Sequence, residues 1–277
     1  MKTDTLLQAK PFLKWAGGKG QLLRQIKEYI ALNFNNYIEA FAGAGALFFY
    51  LKNNSLIDNN AILIDSNEDL MICYNAIKKD VNKLINILKD KKYANENKFY
   101  YEIRKENPSD IFERAARTIY LNKTCFNGLY RVNKEGKFNV PLGKYKNPKI
   151  CDEENLIAAS KALEEVKLVN DDFSRCLEFA EKGDFIYFDP PYQPISKTSS
   201  FTGYTKDSFK DKDQIKLFNV FRELDRKGSI LMLSNSDSEL VRGLYSSYNI
   251  KEVYAKRAIN CNGDSRGAIT ELLILNY

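Results

Sequence analysis

The sequence contains no histidine among its 277 residues. Histidine is the base of Ser-His-Asp and Cys-His catalytic systems and the commonest protein ligand of transition metals. Its absence excludes those nucleophile systems and most transition-metal sites, so we predict no metal centre. Any catalysis must use carboxylates, lysines, amides or a bound cofactor.

Cysteine is scarce, and its few positions are scattered along the chain. An odd number of cysteines without a CxxC pair indicates neither a disulfide framework nor a zinc cage. The five cysteines are Cys73, Cys125, Cys151, Cys176 and Cys261.

Long apolar runs are also missing. No run approaches the roughly 20 residues that cross a bilayer, and Lys10 and Lys14 interrupt the N-terminal region. We therefore expect a cytoplasmic protein that has no membrane partner.

Positive charge, in contrast, is concentrated in one region. The formal net charge is +6, and residues 67–161 hold 19 lysines and arginines against 13 acids, while the remaining chain has 23 of each. Most of the excess lies between Lys123 and Lys149, with seven bases and one acid. Such a patch indicates a polyanionic partner, although a solvated surface with a chance imbalance would look similar.

The first third of the chain carries a nucleoside-binding pattern. Residues 37–41 predict a buried strand, residues 42–46 a glycine turn into a helix, and residues 61–64 a second strand that ends at Asp65. Glycines let the backbone pass close to a ligand, and an acid after the second strand commonly binds ribose hydroxyls. Upstream, Gly17 and Gly18 precede a helix predicted at 21–32, where backbone N–H groups can approach an anionic group.

A second candidate site follows the buried strand predicted at 183–188, where the chain continues as Asp189-Pro190-Pro191-Tyr192. Ligands bind at the carboxyl ends of strands in open α/β sheets, and two prolines stiffen this turn. It would present a carboxylate and a flat ring to one planar group, which suits the amine of a stacked base. The alternative is a turn that only ends the strand.

The basic region predicts a separate unit. Helices are predicted at 68–79, 81–91, 98–104 and 111–122, followed by a hairpin at 124–145 that turns at 134–136. Aromatics, amides and bases interleave on the hairpin, which suits contacts to DNA bases and phosphates. An exposed amphipathic hairpin is the other interpretation.

The last part of the chain alternates helices and strands again. Helices are predicted at 153–165 and 213–226, strands at 166–169, 229–234 and 269–275, and a mobile loop over the site at 193–209. We therefore predict an α/β fold in which residues 1–66 and 162–277 form the catalytic domain and residues 67–161 an inserted recognition domain.

Taken together, the motifs at 12–19, 39–45, Asp65, 172–173 and 189–192 resemble, in identity and order, those of the Dam/DpnII-type DNA adenine-N6 methyltransferases of the D12 class, alpha group. The resemblance covers nearly the whole chain. It implies a Rossmann-like, mostly parallel seven-stranded methyltransferase sheet with an inserted helical and β-hairpin target-recognition domain. It also implies methyl transfer from S-adenosylmethionine to N6 of an adenine flipped out of duplex DNA, within GATC.

The same resemblance assigns site residues. Asp189, Pro190 and Tyr192 would receive the flipped adenine, with the carboxylate and the Pro190 carbonyl accepting hydrogen bonds from its amine. Asp171 departs from the glycine that relatives often carry before Asp-Phe. The implied cofactor residues are Trp15, Ala16, Gly17, Lys19, Glu39, Phe41, Gly43, Asp65, Asp172, Phe173 and Asp189.

Further implied positions concern DNA. Phe126 resembles a residue that wedges into the duplex, with Asn127 as its neighbour. Base-reading positions of GATC enzymes match Leu129, Arg131 and Pro141, Lys14 resembles a contact to the outer guanine, and we expect Lys144 and Tyr145 to contact the DNA as well. The implied partners are double-stranded DNA, which would associate the protein with the nucleoid, and a cognate restriction endonuclease unless the enzyme acts alone.

Three other functions share part of this pattern. A protein-glutamine methyltransferase also uses a Pro-Pro-Tyr turn, but typically after asparagine, and it does not need a basic hairpin. A cytosine-N4 enzyme more often has serine at position 189. A DNA-binding regulator without catalysis would have no need to keep Asp65, Asp189 and Tyr192 together.

Overall fold

The computed structural model describes residues 7–15, 22–94, 96–192, 209–256 and 268–277. The predicted cofactor residues Ala16, Gly17 and Lys19 lie outside the described residues, as does the loop predicted at 193–209 except for its last residue.

The described residues form one sheet of seven strands: β1 (Tyr37–Glu39), β2 (Ala61–Asp65), β3 (Val166–Asn170), β4 (Phe185–Phe188), β5 (Ile230–Ser236), β6 (Asn249–Lys256) and β7 (Ala268–Leu275). Their order is β3-β2-β1-β4-β5-β7-β6. Neighbours from β3 to β5 pair in parallel, and β7 pairs antiparallel with both β5 and β6. The predicted fold class, a mostly parallel seven-stranded sheet, is confirmed.

Strand β6 is the one strand that the residue pattern did not predict. Within the described part of the chain it lies at the edge of the sheet and pairs only with β7, and among its described side chains only Val253 is buried. Edge strands tolerate charged side chains such as Lys251 and Glu252, which weaken the apolar signal of a strand.

Nine helices accompany the sheet in the described residues: α1 (Leu23–Ile26), α2 (Ala46–Asn53), α3 (Glu68–Leu88), α4 (Asn97–Lys105), α5 (Ile111–Thr124), α6 (Glu153–Ala162), α7 (Cys176–Phe179), α8 (Asp211–Lys227) and α9 (Glu239–Leu244). The helix predicted at 21–32 is shorter than expected: α1 continues as a 3₁₀ turn, Lys27–Tyr29, and the backbone becomes extended at Ile30. Neither α7 nor α9 was predicted.

Helix α3 joins two segments that the sequence predicted as separate helices. Its backbone leaves helical geometry at Asp80, with φ −160° and ψ 86°. The Asp80 carboxylate accepts a hydrogen bond from the Lys83 N–H at 2.9 Å, as a residue that caps a helix N-terminus does. The break at Asp80 is therefore confirmed, and the second segment ends at Leu88 instead of Lys91.

Strand β4 is the centre of the fold, since it lies between β1 and β5 and all four of its residues are buried. Phe185 and Tyr187 belong to one hydrophobic cluster, together with residues of α2 and α3, while Ile186 and Phe188 belong to another that includes residues of α8. Helices thus cover both faces of the sheet, which explains the continuous apolar sequence of β4.

The segment between β2 and β3 contains α3 to α6 and the predicted hairpin. The hairpin is present as an antiparallel ribbon, here called the ribbon (residues 125–142), closed by bridges between Cys125 and Leu142 and between Val132 and Phe138. The two bridges lie on either side of the predicted turn at 134–136, and they are isolated bridges outside the strands of the sheet. Among the described residues, no helix is long and apolar enough to cross a membrane.

Candidate functional site

The sheet brings three predicted acids to one edge. Glu39 ends β1, Asp65 ends β2, and Asp189 follows the last residue of β4. Because β2, β1 and β4 are adjacent and parallel, their carboxyl ends share one edge of the sheet. That edge is where ligands bind in open α/β sheets.

Asp65 organises the glycine turn that follows β1. Its carboxylate accepts hydrogen bonds from the backbone N–H groups of Gly43, at 2.9 Å, and Asn67, at 2.8 Å. Gly43 adopts a positive φ of 47°, which favours glycine, and a Cβ there would lie 3.3 Å from Cδ1 of Trp15. Burial raises the pKa of Asp65, and these two hydrogen bonds act in the opposite direction.

Glu39 is an unusual acid because it is 3% exposed. Its carboxylate accepts a hydrogen bond from the Tyr37 hydroxyl at 2.8 Å. Burial, with smaller contributions from the charges of Asp189 and Asp65, raises the pKa of Glu39 to about 8, against the opposing effect of the Tyr37 hydrogen bond. The group is therefore largely protonated at neutral pH.

Two of the predicted cofactor residues, Phe41 and Phe173, form an aromatic wall together with Phe209. The rings of Phe41 and Phe173 stack, with centroids 5.0 Å apart and planes 24° apart, and Phe209 packs against both. The Asp172 carboxylate accepts hydrogen bonds from the Ser174 N–H at 3.0 Å and from Lys216 Nζ at 2.7 Å. Burial raises the pKa of Asp172, but the bonds from Lys216 and Ser174 outweigh burial and lower it overall.

The Asp-Pro-Pro-Tyr turn is fixed by a residue on another strand. The Tyr192 hydroxyl donates a hydrogen bond to Oε2 of Glu271, on β7, at 2.6 Å. Burial, followed by the charges of Asp189 and Glu271, raises the pKa of Tyr192 well above its usual value, so the hydroxyl stays protonated. Pro190 is buried, whereas Asp189 is half-buried at the sheet edge.

Lys14 meets the ribbon despite its distance in sequence. Its backbone N–H and carbonyl both bond the Asn122 side chain, at 2.8 and 2.7 Å, and its Nζ lies 3.9 Å from the centroid of the Tyr145 ring. A Cβ at Gly128, where φ is 63°, would lie 2.7 Å from Cβ of Lys14. Burial, and then the neighbouring positive charges of Lys14 and Lys149, lower the pKa of Lys123, against the effect of Asp152.

The ribbon presents the predicted DNA contacts on its surface. Phe126 is 50% exposed, and its N–H donates to the Pro141 carbonyl at 2.8 Å, which holds these two predicted residues together. The next residue, Asn127, is exposed and adopts a positive φ of 54°. Leu129 is half-buried, while Pro141 and Lys144 are exposed.

Arg131 is exposed and held across the ribbon. Its Nε donates to the Asn139 side-chain oxygen at 2.7 Å, and the Asn139 N–H donates to the Arg131 carbonyl at 3.0 Å. Arg131 Nη2 also donates to the Asn139 carbonyl at 3.4 Å, and the guanidinium keeps further N–H donors for a ligand.

The residue pattern missed several groups that shape these sites, namely Tyr37, Asn67, Asn139, Lys216 and Glu271. A register drawn through the predicted turn would have paired Asn139 with Arg131. Glu271 also left a signal, as an acid within the apolar run of β7, but only the strand order shows that it reaches Tyr192.

An α/β sheet with such groups at its carboxyl edge is typical of enzymes that bind nucleosides. The model of the D12 class N6 adenine-specific DNA methyltransferase family matches residues 15–259. The chain therefore belongs to this family and is an adenine-N6 DNA methyltransferase, in agreement with the resemblance.

This chain is similar to three relatives over nearly the full length of each. The type II methyltransferase M.MjaIII of Methanocaldococcus jannaschii is 49% identical, covering 98% of this chain and 100% of the relative. The type II methyltransferase M1.LlaDCHI of Lactococcus lactis is 41% identical over 98% and 96%. The DNA adenine methylase of Haemophilus influenzae is 36% identical over 97% and 94%. These relatives support DNA as the substrate and do not support the protein-glutamine alternative.

The raised pKa of Glu39 predicts a specific pH dependence of stability. Between about pH 4.5, its ordinary pKa, and pH 8, the unfolded chain has released a proton that the folded protein retains. The free energy of unfolding should therefore fall as pH rises through this range, by roughly 1 kcal/mol per pH unit, and Glu39→Gln should remove that dependence. Urea unfolding at several pH values measures it.

Glu223→Gln, at an exposed position of α8, is the control and should leave the wild-type pH profile unchanged. Parallel profiles for wild type and Glu39→Gln would show that Glu39 is ionised in the folded protein.

Proposed function

We propose that this enzyme transfers the methyl group of S-adenosylmethionine to adenine N6 within GATC in duplex DNA. The observation that carries the proposal is the meeting of the Asp65-bound glycine turn and the Asp189 turn at one sheet edge. The first suits a nucleoside cofactor and the second a base amine. We further propose residues 67–161 as the recognition unit.

The residues present fit the cofactor. A carboxylate at the end of β2, a glycine turn with open backbone and a stacked aromatic wall are the groups that ribose and adenine require. Asp65, Phe41 and Phe173 would hold the nucleoside, and Gly43 and Trp15 would flank it. Bound there, the cofactor supplies an electrophilic methyl group on a sulfonium.

Replacing Asp65 with alanine should weaken binding of S-adenosylmethionine by about 10- to 100-fold, because one or two charge-assisted hydrogen bonds are lost. The variant should also unfold at a lower temperature, since the Gly43 and Asn67 N–H groups lose their acceptor. Isothermal calorimetry and thermal unfolding measure the two effects.

Asp58→Ala, an exposed acid just before β2, is the matched control and should behave as wild type. Duplex affinity should change little in either variant. Unchanged cofactor affinity in folded Asp65→Ala would remove Asp65 from the cofactor site.

At the other turn, the chain's own groups would activate the adenine amine. Its lone pair is delocalised into the ring, so the amine is a poor nucleophile. Asp189 and the Pro190 carbonyl would accept hydrogen bonds from the amine and so direct its lone pair toward the methyl group. The Tyr192 ring, held through its hydroxyl by Glu271, would stack on the flipped base and offset part of the unstacking cost.

Asp189→Asn should separate binding from chemistry. Asparagine preserves the shape of the turn but replaces one acceptor oxygen with a donor. Cofactor and duplex should bind within a few fold of wild type, while methyl transfer should fall by at least about 10²-fold, the scale of losing one preorganised electrostatic contact. Gel shift, 2-aminopurine fluorescence at the target adenine and single-turnover transfer measure binding, flipping and chemistry.

A variant that flips the base and transfers methyl at the wild-type rate would show that Asp189 only shapes the turn. Lack of transfer by wild type on any DNA would instead favour a regulator without catalysis.

The ribbon and Lys14 would bind the duplex. Exposed Phe126 is suited to enter the space left by the flipped base, and the exposed guanidinium of Arg131 can pair with guanine O6 and N7. Lys144, with Tyr145, would contact the phosphate backbone. The support for the GATC target is the resemblance: Leu129, Arg131 and Pro141 match base-reading positions of GATC enzymes, and Lys14 resembles a contact to the outer guanine.

Arg131→Ala should relax sequence preference by roughly 1–3 kcal/mol, since it removes one bidentate base contact. Lys144→Ala should lower affinity for all sequences equally and reduce the salt slope by about one unit. Methylating a mixed-sequence plasmid and mapping the modified adenines measures preference for wild type and both variants.

Wild-type modification outside GATC would refute the proposed target. Equal losses by Arg131→Ala on cognate and near-cognate sites would refute direct readout by Arg131.

Two relatives are named type II methyltransferases, which supports an endonuclease as a partner of this enzyme. We propose a cognate endonuclease that cuts the same site and is blocked by this methylation. Since the substrate is duplex DNA, the enzyme would work at the nucleoid.

A further inference from the structure

Tyr130 lies between the ribbon and the glycine turn that follows β1. It is neither one of the predicted cofactor residues nor one of the predicted DNA contacts. It is 7% exposed, and its ring lies 5.1 Å from that of Trp15, tilted by 33°. On its other side the ring packs edge-on against Phe138 of the ribbon. Trp15 in turn lies against Gly43. One continuous contact thus runs from the ribbon to the glycine turn.

A second contact begins at the Tyr130 hydroxyl, which donates to Oδ2 of Asp69 at 2.7 Å. The other oxygen of Asp69 accepts from Arg114 Nε at 2.7 Å, and Arg114 also pairs with Glu68 at 2.8 Å. Both acids lie in the first turn of α3. Asp69 is therefore held rigidly where Tyr130 reaches it.

The first turn of α3 is itself tied to the cofactor turn. The side chain of Asn67 caps α3 by accepting from the Leu70 N–H, and the Asn67 N–H donates to the Asp65 carboxylate. That carboxylate also holds Gly43. Tyr130 is therefore linked indirectly to both Gly43 and Asp65. Trp15 connects it to Gly43, and the first turn of α3 connects it to Asp65.

The position of Tyr130 in the ribbon connects these contacts to the predicted base-reading residues. Tyr130 lies between Leu129 and Arg131, which both match base-reading positions, and it is buried where Arg131 is exposed. A shift of the Tyr130 ring therefore moves the backbone that carries both neighbours. Burial, and then the charge and hydrogen bond of Asp69, raise the pKa of Tyr130 well above its usual value, so the hydroxyl remains a donor.

We propose that Tyr130 is a positioning residue that couples target recognition on the ribbon to cofactor binding at the Asp65–Gly43 turn. This inference rests on the proposed function. Cognate DNA and S-adenosylmethionine should then each increase the affinity of the enzyme for the other by the same factor, as linkage requires.

The test is a binding cycle. The dissociation constant of S-adenosylmethionine is measured with and without a saturating GATC duplex, for wild type, Tyr130→Phe and Tyr130→Leu. We expect about tenfold coupling in wild type, within the usual range of such effects, and less than about threefold in both variants. Cofactor affinity without DNA should change less than the coupling does.

Tyr93→Phe is the matched control. Tyr93 is also buried and also donates a hydrogen bond to a carboxylate, that of Glu113 at 3.3 Å, but it lies in the turn before α4. It should lose stability without losing coupling. Trp15 is the only tryptophan in the chain, so its fluorescence gives a second measurement: GATC duplex should change it in wild type but not in Tyr130→Leu.

The outcomes separate the coupling role of Tyr130 from the proposed function on which it rests. Coupling that persists in Tyr130→Phe and Tyr130→Leu, or a loss of stability alone, as in Tyr93→Phe, would overturn the inference. A wild-type enzyme that binds both ligands without coupling would also overturn it while leaving the proposed function intact. Failure of wild type to bind S-adenosylmethionine at all would refute the proposed function, and the inference with it.

Discussion

The hydrogen bond that the Gly43 N–H donates to the Asp65 carboxylate is the interaction on which the rest of the site depends. It ties the loop after β1 to the end of β2, and the second carboxylate oxygen accepts from the N–H of Asn67, the residue before α3. A buried carboxylate is costly to ionise unless it receives such hydrogen bonds. One acid therefore holds together the glycine turn after β1 and the start of α3.

Charge is divided between the two sides of the site. Glu39, Asp65 and Asp189 are close enough at the sheet edge that two of them raise the pKa of the third. On the opposite side, the charges of Lys14 and Lys149 help to lower the pKa of Lys123. A phosphate backbone is thus attracted to the lysines and repelled from the acids, while a neutral base experiences little of this repulsion. This division supports the proposal that phosphates lie beside the ribbon and a base at the sheet edge.

Local patterns predicted most of the fold, since β1, β2, β4 and β5 are largely buried runs that end at turn residues or acids. The edge strand β6 lacked an apolar run because its side chains, such as Lys251 and Glu252, reach solvent and can be charged. At the site, the sequence predicted residues next to strand ends, such as Asp65 and Asp189. It could not predict Glu271 or Tyr130, whose roles depend on partners 79 and 61 residues away in the chain. Periodicity and spacing contain no information on such distant contacts, which only the topology determines.

The antiparallel direction of β7 has a consequence for the order of assembly. Because β7 runs against its neighbours, its early residues lie at the carboxyl edge, which brings Glu271 opposite Ser236 and within reach of Tyr192. A ribosome delivers Glu271 long after the turn it stabilises has been made. The nascent chain can thus close the glycine turn, which needs only residues 37 to 67, well before it can fix the Tyr192 ring. The glycine turn would therefore form early in synthesis, and the Tyr192 ring would be fixed only when the final strand has paired.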